Sequence, residues 1–150
     1  MYMEILMGNL RSLCAAALVA GSASLAFAAD DTRVYVANLV GGNELPAFGD
    51  PDAFGVATIT LVAAGGICYT IVLQNAAAPT AAHIHAGGGG TAGAISLVLP
   101  VVAAPLPTRI ANCIAAPAAL MTGIRNNPAL FYVNVHNAAF PAGAVRGQLH

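Results

Sequence analysis

Lysine is absent from this 150-residue chain, and charged residues of all kinds make up only 7% of it. After residue 28, the basic side chains are four arginines, Arg33, Arg109, Arg125 and Arg146. Proteins that bind nucleic acids neutralise several phosphates with clustered basic side chains. Four scattered arginines do not form such a patch, so the composition excludes a nucleic-acid-binding function.

Long apolar runs are also missing. The run at residues 13–20 is well short of the roughly 20 residues that a membrane-spanning helix needs. It follows Arg11 and precedes Ala26-Phe27-Ala28, the order of basic, apolar and small residues that is typical of a secretory signal peptide. We therefore predict that residues 1–28 are a cleaved signal peptide. Residues 29–150 are then one domain, secreted or periplasmic, with no membrane span.

Cysteine is scarce. Cys14 falls within the predicted signal peptide, which leaves Cys68 and Cys113 as an even pair. Exported proteins fold in an oxidising compartment, so we predict a disulfide between these two residues. Closing a loop of 45 residues contributes roughly 4 kcal/mol. A thiolate metal site would need further cysteines at C-x-x-C spacing, which the sequence lacks.

Nucleophiles are few as well. Ser96 is the only serine after residue 28, and the predicted disulfide leaves no free thiol for covalent catalysis. Glu44 and Asp52 have no spacing that indicates an acid–base pair, and Asp50-Pro51-Asp52 is typical of a turn. We predict that the protein is not an enzyme, and copper or zinc is its only candidate cofactor.

Apolar and polar residues alternate with period two through most of the chain, which is the pattern of half-buried β-strands. Glycine and proline clusters separate the segments. Proline at residue 117 favours the start of a helix that ends before the proline at residue 128. We predict an antiparallel β-sandwich of about seven or eight strands with one short helix over residues 117–126. The clearest predicted strands are residues 32–39, 54–62, 67–73, 82–85, 95–99, 131–136 and 145–149.

Three histidines lie on predicted strands with the same alternation. His83 and His85 are two residues apart, so both imidazoles lie on one strand face. His136 lies on the polar face of another strand. If the two strands are neighbours, the three imidazoles converge into a site suited to copper or zinc. His150 at the end of the last strand is a weaker candidate.

Other polar residues share these faces. Asn134 lies on the same face as His136, and Arg146 and Gln148 alternate with apolar residues in the last strand. We predict that Glu44 pairs with Arg146. A polar face is also expected of a small antiparallel sheet without any ligand, because such side chains can be solvated or bonded to one another. These four residues are therefore interpreted as a structural polar network.

Several motifs resemble the CHRD domain, the module named from chordin. They are Asn-Glu-Leu-Pro at residues 43–46, Ala-His-Ile-His-Ala-Gly at 82–87, Tyr-Val-Asn-Val-His at 132–136 and Arg-Gly-Gln-Leu at 146–149. The resemblance implies a secreted β domain, found alone in bacterial exported proteins and repeated in chordin, which antagonises growth factors. It implies no established activity. The family pattern carries over to Glu44, His83, His85, Asn134, His136, Arg146 and Gln148.

Two functions remain open from the sequence. The first is an exported, non-catalytic binding or interaction domain of the CHRD type, with an unknown protein or surface partner. The alternative is a copper or zinc binding protein that uses His83, His85 and His136. An oxidoreductase similar to copper-zinc superoxide dismutase is less well supported, because the bridging ligand set and the zinc loop are not visible in the sequence.

Overall fold

A computed structural model of the protein describes residues 32–102 and 108–150. The predicted signal peptide, residues 1–28, lies outside the described residues. The described part contains eight strands and one α-helix, which confirms the prediction of an all-β fold with one short helix. The elements are β1 (Arg33–Val40), β2 (Phe54–Val62), β3 (Gly66–Gln74), β4 (Pro79–Ala86), β5 (Ala94–Leu99), β6 (Thr108–Ala115), α1 (Ala118–Asn126), β7 (Phe131–Asn137) and β8 (Val145–Gln148).

All eight strands belong to one antiparallel sheet in the order β5-β4-β7-β8-β1-β2-β3-β6. The hydroxyl of Tyr69 on β3 donates a hydrogen bond to the carbonyl oxygen of Pro100, just after β5, at 2.6 Å. Because β3 and β5 lie near opposite ends of the strand order, this contact shows that the sheet curls on itself. The strands predicted as a sandwich therefore form one continuous sheet that encloses a single core.

The core follows from the alternation. Ile59 on β2 and Ile71 on β3 are fully buried, as are most inward-facing residues of these strands. Successive strand residues point to opposite faces, so the residues between them form the outer face. Helix α1 adds Leu120 and Ile124, which are one turn apart and share a face. Within the described residues, no helix is long and apolar enough to cross a membrane.

Strand β6 was not predicted from the sequence. It lies at the edge of the sheet and pairs with β3 alone. Thr108 and Ile110 are buried, whereas most of the later residues of the strand are exposed. The alternation of apolar and polar residues therefore covers only the first part of the strand. Cys113 on β6 lies directly opposite Cys68 on β3, with 4.0 Å between their Cα atoms, and the two form a disulfide. The predicted disulfide is confirmed, and it ties the edge strand to the sheet.

The three strands that carry the polar faces are neighbours. β7 lies between β4 and β8, with His83 opposite Asn134 on one side of β7 and Arg146 opposite Asn134 on the other. Side chains opposite one another in neighbouring strands lie on the same face of a sheet. The topology therefore places the polar residues of all three strands in one patch.

Candidate metal centre

Three imidazoles meet on the face shared by β4 and β7. His83 and His85 come from β4, and His136 comes from β7, opposite Ala81. One ligand nitrogen from each ring lies within 4.8 Å of those from the other two. His83 Nδ1 and His136 Nε2 lie 3.1 Å apart, within hydrogen-bonding distance. The structure thus brings together the three histidines that the strand pattern predicts to converge.

Backbone carbonyl groups fix the orientation of two rings. His136 Nδ1 lies 3.1 Å from the carbonyl oxygen of Pro141, and His85 Nδ1 lies 2.9 Å from that of Gly93. A carbonyl oxygen only accepts, so each Nδ1 carries a hydrogen, and in the neutral form of each ring Nε2 keeps its lone pair. Histidine ligands of metal ions are oriented by the same kind of hydrogen bond on the nitrogen that does not bind the metal.

A stack of three side chains also orients His85. Its ring lies parallel to that of Tyr132 on the neighbouring strand, with ring centres 4.7 Å apart and planes 7° from parallel. The guanidinium carbon of Arg146 lies 3.4 Å from the centre of the same Tyr132 ring. Because β7 lies between β4 and β8, Tyr132 separates the imidazole from the cation. The stack combines a cation–π contact with ring stacking.

Arg146 and Gln148 hold the glycine-rich loop that follows β4. Arg146 Nη2 donates to the carbonyl oxygens of Gly88 at 3.2 Å and Thr91 at 2.8 Å. Gln148 Nε2 donates to the carbonyl oxygen of Gly87 at 2.6 Å. This loop supplies the Gly93 carbonyl that orients His85. The polar network of β8 therefore supports the histidine cluster through the backbone.

A model of the CHRD domain family matches residues 35–149. The chain belongs to the CHRD domain family. No curated protein and no solved structure matched the chain. The CHRD match covers nearly the whole of the described β domain and includes all three histidines of the cluster.

Burial affects the protonation of two of the three histidines in this CHRD domain. It lowers the pKa of His83, with smaller contributions from the charges of His136 and His85. Burial also lowers the pKa of His136. A lowered pKa keeps an imidazole neutral near pH 7, and the neutral ring is the form that binds metal ions. His83 and His136 are half-buried, so solvent reaches the cluster, whereas His85 is buried.

Glu44 shares a cavity of about 290 Å³ with Arg146. Its carboxyl group is buried and packs against Gly143, where the positive φ of 144° favours glycine and a side chain would collide with the carboxyl. Burial raises the pKa of Glu44 to about 7, although the charge of Arg146 lowers it. Glu44 thus interacts with Arg146 electrostatically, while Arg146 Nη2 binds the loop carbonyls.

This raised pKa predicts a specific pH dependence of stability for the CHRD domain. The contribution of neutral Glu44 to the free energy of unfolding is complete below the ordinary pKa of 4.5 and is lost as pH rises through about 7. The reason is that the carboxyl group of the unfolded chain ionises at a lower pH than that of the folded protein. In the presence of a chelator, the Glu44→Gln variant should lack this loss. The free energies of unfolding of the two proteins, measured by urea denaturation, should diverge by roughly 2 to 3 kcal/mol between pH 4.5 and 7.5. Parallel pH profiles would contradict the burial of an ionisable carboxyl.

His150 does not join the cluster. Its backbone exchanges two hydrogen bonds of 3.0 Å with Val36 on β1, and its ring is exposed, 3.4 Å from the carbonyl oxygen of Gln148. Tyr132, by contrast, was not predicted to contact His85. The alternation placed it on the polar face, but the sequence alone does not show that its ring would lie between His85 and Arg146.

Proposed function

We propose that this exported CHRD domain is a non-catalytic binding domain and that it binds a copper or zinc ion through His83, His85 and His136. The observation that carries the proposal is the convergence of three ligand nitrogens within 4.8 Å. The geometry favours this alternative over binding of an unidentified protein or surface, because it supplies a defined set of donor atoms.

The donor set fits the proposed ions. Imidazole nitrogen is a common ligand of both zinc and copper. In a tetrahedral site with bonds of about 2.0 to 2.1 Å, neighbouring ligand atoms are roughly 3.3 Å apart. The 3.1 Å between His83 Nδ1 and His136 Nε2 is close to that value. The three nitrogens lie within 4.8 Å of one another, so side-chain rotations that bring the third nitrogen closer to this pair would admit an ion.

Calorimetric titration of the chelator-treated mature domain with Cu²⁺ and Zn²⁺ tests the metal proposal. We expect one ion per chain, with Cu²⁺ bound more tightly than Zn²⁺, as the general affinity order of divalent ions requires. The His85→Ala variant should bind at least about 100-fold more weakly (~2.7 kcal/mol) because it lacks one of three ligands. His150→Ala is the matched control and should titrate like the wild type. Equally weak isotherms for the wild type and His85→Ala would overturn the proposal.

Export has its own test. The order of residues at the N-terminus supports cleavage after Ala28 or Ala29. N-terminal sequencing of the protein from the extracytoplasmic fraction should therefore begin at Ala29 or Asp30. Recovery of Met1, Met3 or Met7 at the mature terminus would contradict export by this route.

A further inference from the structure

Asn134 lies against two of the three imidazoles. It is on β7, directly opposite His83 on β4, and its side chain is only 3% exposed. Its Oδ1 atom lies 3.1 Å from His85 Nε2, and its amide also interacts with the His83 ring. The amide oxygen therefore lies beside one of the nitrogens that are proposed to hold the ion.

The contact between Asn134 and His85 has an acceptor on both sides. The carbonyl oxygen of Gly93 accepts the hydrogen of His85 Nδ1, so neutral His85 has only a lone pair at Nε2. Oδ1 of an amide also has only lone pairs to offer. Two lone pairs facing each other at 3.1 Å repel, so this contact requires either a hydrogen between the two atoms or a cation beside both. A metal ion bound to both atoms removes this repulsion.

We propose that Asn134 Oδ1 is the fourth ligand of the metal ion, which completes a site of three histidine nitrogens and one amide oxygen. This inference rests on the proposed function. Both 3.1 Å separations, Oδ1 to His85 Nε2 and His83 Nδ1 to His136 Nε2, are close to the roughly 3.3 Å between ligand atoms of a tetrahedral ion.

The fourth ligand determines which ions the site prefers. An amide oxygen is a hard donor, so it favours the divalent ions Zn²⁺ and Cu²⁺ over the soft Cu⁺ ion. It also closes the coordination shell. Zinc sites with four protein ligands are structural, whereas catalytic sites keep one position open for water or substrate. A closed shell therefore agrees with a binding domain that performs no catalysis.

The experiment uses Co²⁺ as a spectroscopic probe and Zn²⁺ in competition with a chelator. Four-coordinate Co²⁺ absorbs visible light strongly, and the band depends on the ligands. Asn134→Leu keeps the approximate size of the side chain but removes the oxygen, whereas Asn134→Asp keeps an oxygen and adds charge. We expect Asn134→Leu to weaken Zn²⁺ binding at least tenfold and to reduce the Co²⁺ band. Asn134→Asp should bind Zn²⁺ at least as tightly as the wild type and shift the Co²⁺ band.

The outcomes separate this inference from the proposed function. A wild-type protein that binds neither Co²⁺ nor Zn²⁺ would overturn both. Wild-type affinity and an unchanged Co²⁺ band in Asn134→Leu would overturn the fourth ligand alone and leave a three-histidine site. In that case the amide is reversed, with its NH₂ group donating to His85 Nε2. If Asn134→Leu does not fold, the Asn134→Asp variant tests the fourth ligand instead. A Co²⁺ band and a Zn²⁺ affinity that both equal those of the wild type would contradict coordination by Oδ1.

Discussion

Replacement of Arg146 by alanine is expected to lower the free energy of unfolding by about 3 to 5 kcal/mol, because it removes a buried charge from a network of partners. The guanidinium group donates hydrogen bonds to the Gly88 and Thr91 carbonyls and stacks on Tyr132. Hydrogen bonds to charged groups contribute more than neutral ones, and the two carbonyls lose their donor. Small domains are stable by only about 5 to 15 kcal/mol, so this loss is a large fraction of the total.

Urea denaturation of the metal-free protein measures the effect, and Arg109→Ala is the matched control. Arg109 lies on the edge strand β6 and is exposed, so its removal should change stability by no more than about 0.5 kcal/mol. Arg146→Ala should also weaken Zn²⁺ binding, since the loop that it holds supplies the Gly93 carbonyl bound to His85. If Arg146→Ala and Arg109→Ala lowered the free energy of unfolding by the same small amount, Arg146 would not support the loop.

Loss of the disulfide is expected to destabilise the domain by about 4 kcal/mol in the double variant Cys68→Ala/Cys113→Ala. The bond closes a loop of 45 residues, and its main contribution in the chain-entropy model is to restrict the unfolded chain. Cys113 is exposed, so its truncation removes little packing from the core. The loss should therefore appear as a shift in the urea midpoint without a large change in the native structure.

Reduction provides the control for this prediction. Dithiothreitol should lower the stability of the wild type by a similar amount and leave the double variant unchanged. Intact mass spectrometry should show a gain of two hydrogens on reduction of the wild type. A double variant that unfolds within about 1 kcal/mol of the wild type would mean that the bond contributes little to stability.

The alternation of the sequence was enough to predict most of this fold. The alternation predicts that His83 and His85 share one face of their strand and that His136 lies on the polar face of a different strand, whatever the order of the strands in the sheet. Successive side chains of a strand point to opposite faces, so the face on which each histidine lies follows from its position in the strand. Helix α1 was predicted at residues 117–126 and observed at Ala118–Asn126, since proline residues mark both of its ends.

The features that the sequence did not predict depend on the backbone or on the strand order. Strand β6 lies at an edge, where few residues need to be buried, so it carries little pattern. The Gly93 and Pro141 carbonyls orient two histidines through atoms that every residue possesses, so no side-chain motif marks them. The position of Tyr132 between His85 and Arg146 required the order β4-β7-β8, which the period alone does not give.

The metal content of the purified mature protein tests the central claim most directly. The wild type and a variant with His83, His85 and His136 all replaced by alanine are loaded with Cu²⁺ or Zn²⁺, dialysed against metal-free buffer and measured by elemental analysis. We predict about one retained ion per wild-type chain and almost none in the folded triple variant. Wild-type protein that retains no ion, or a triple variant that retains as much as the wild type, would contradict a metal centre formed by these histidines.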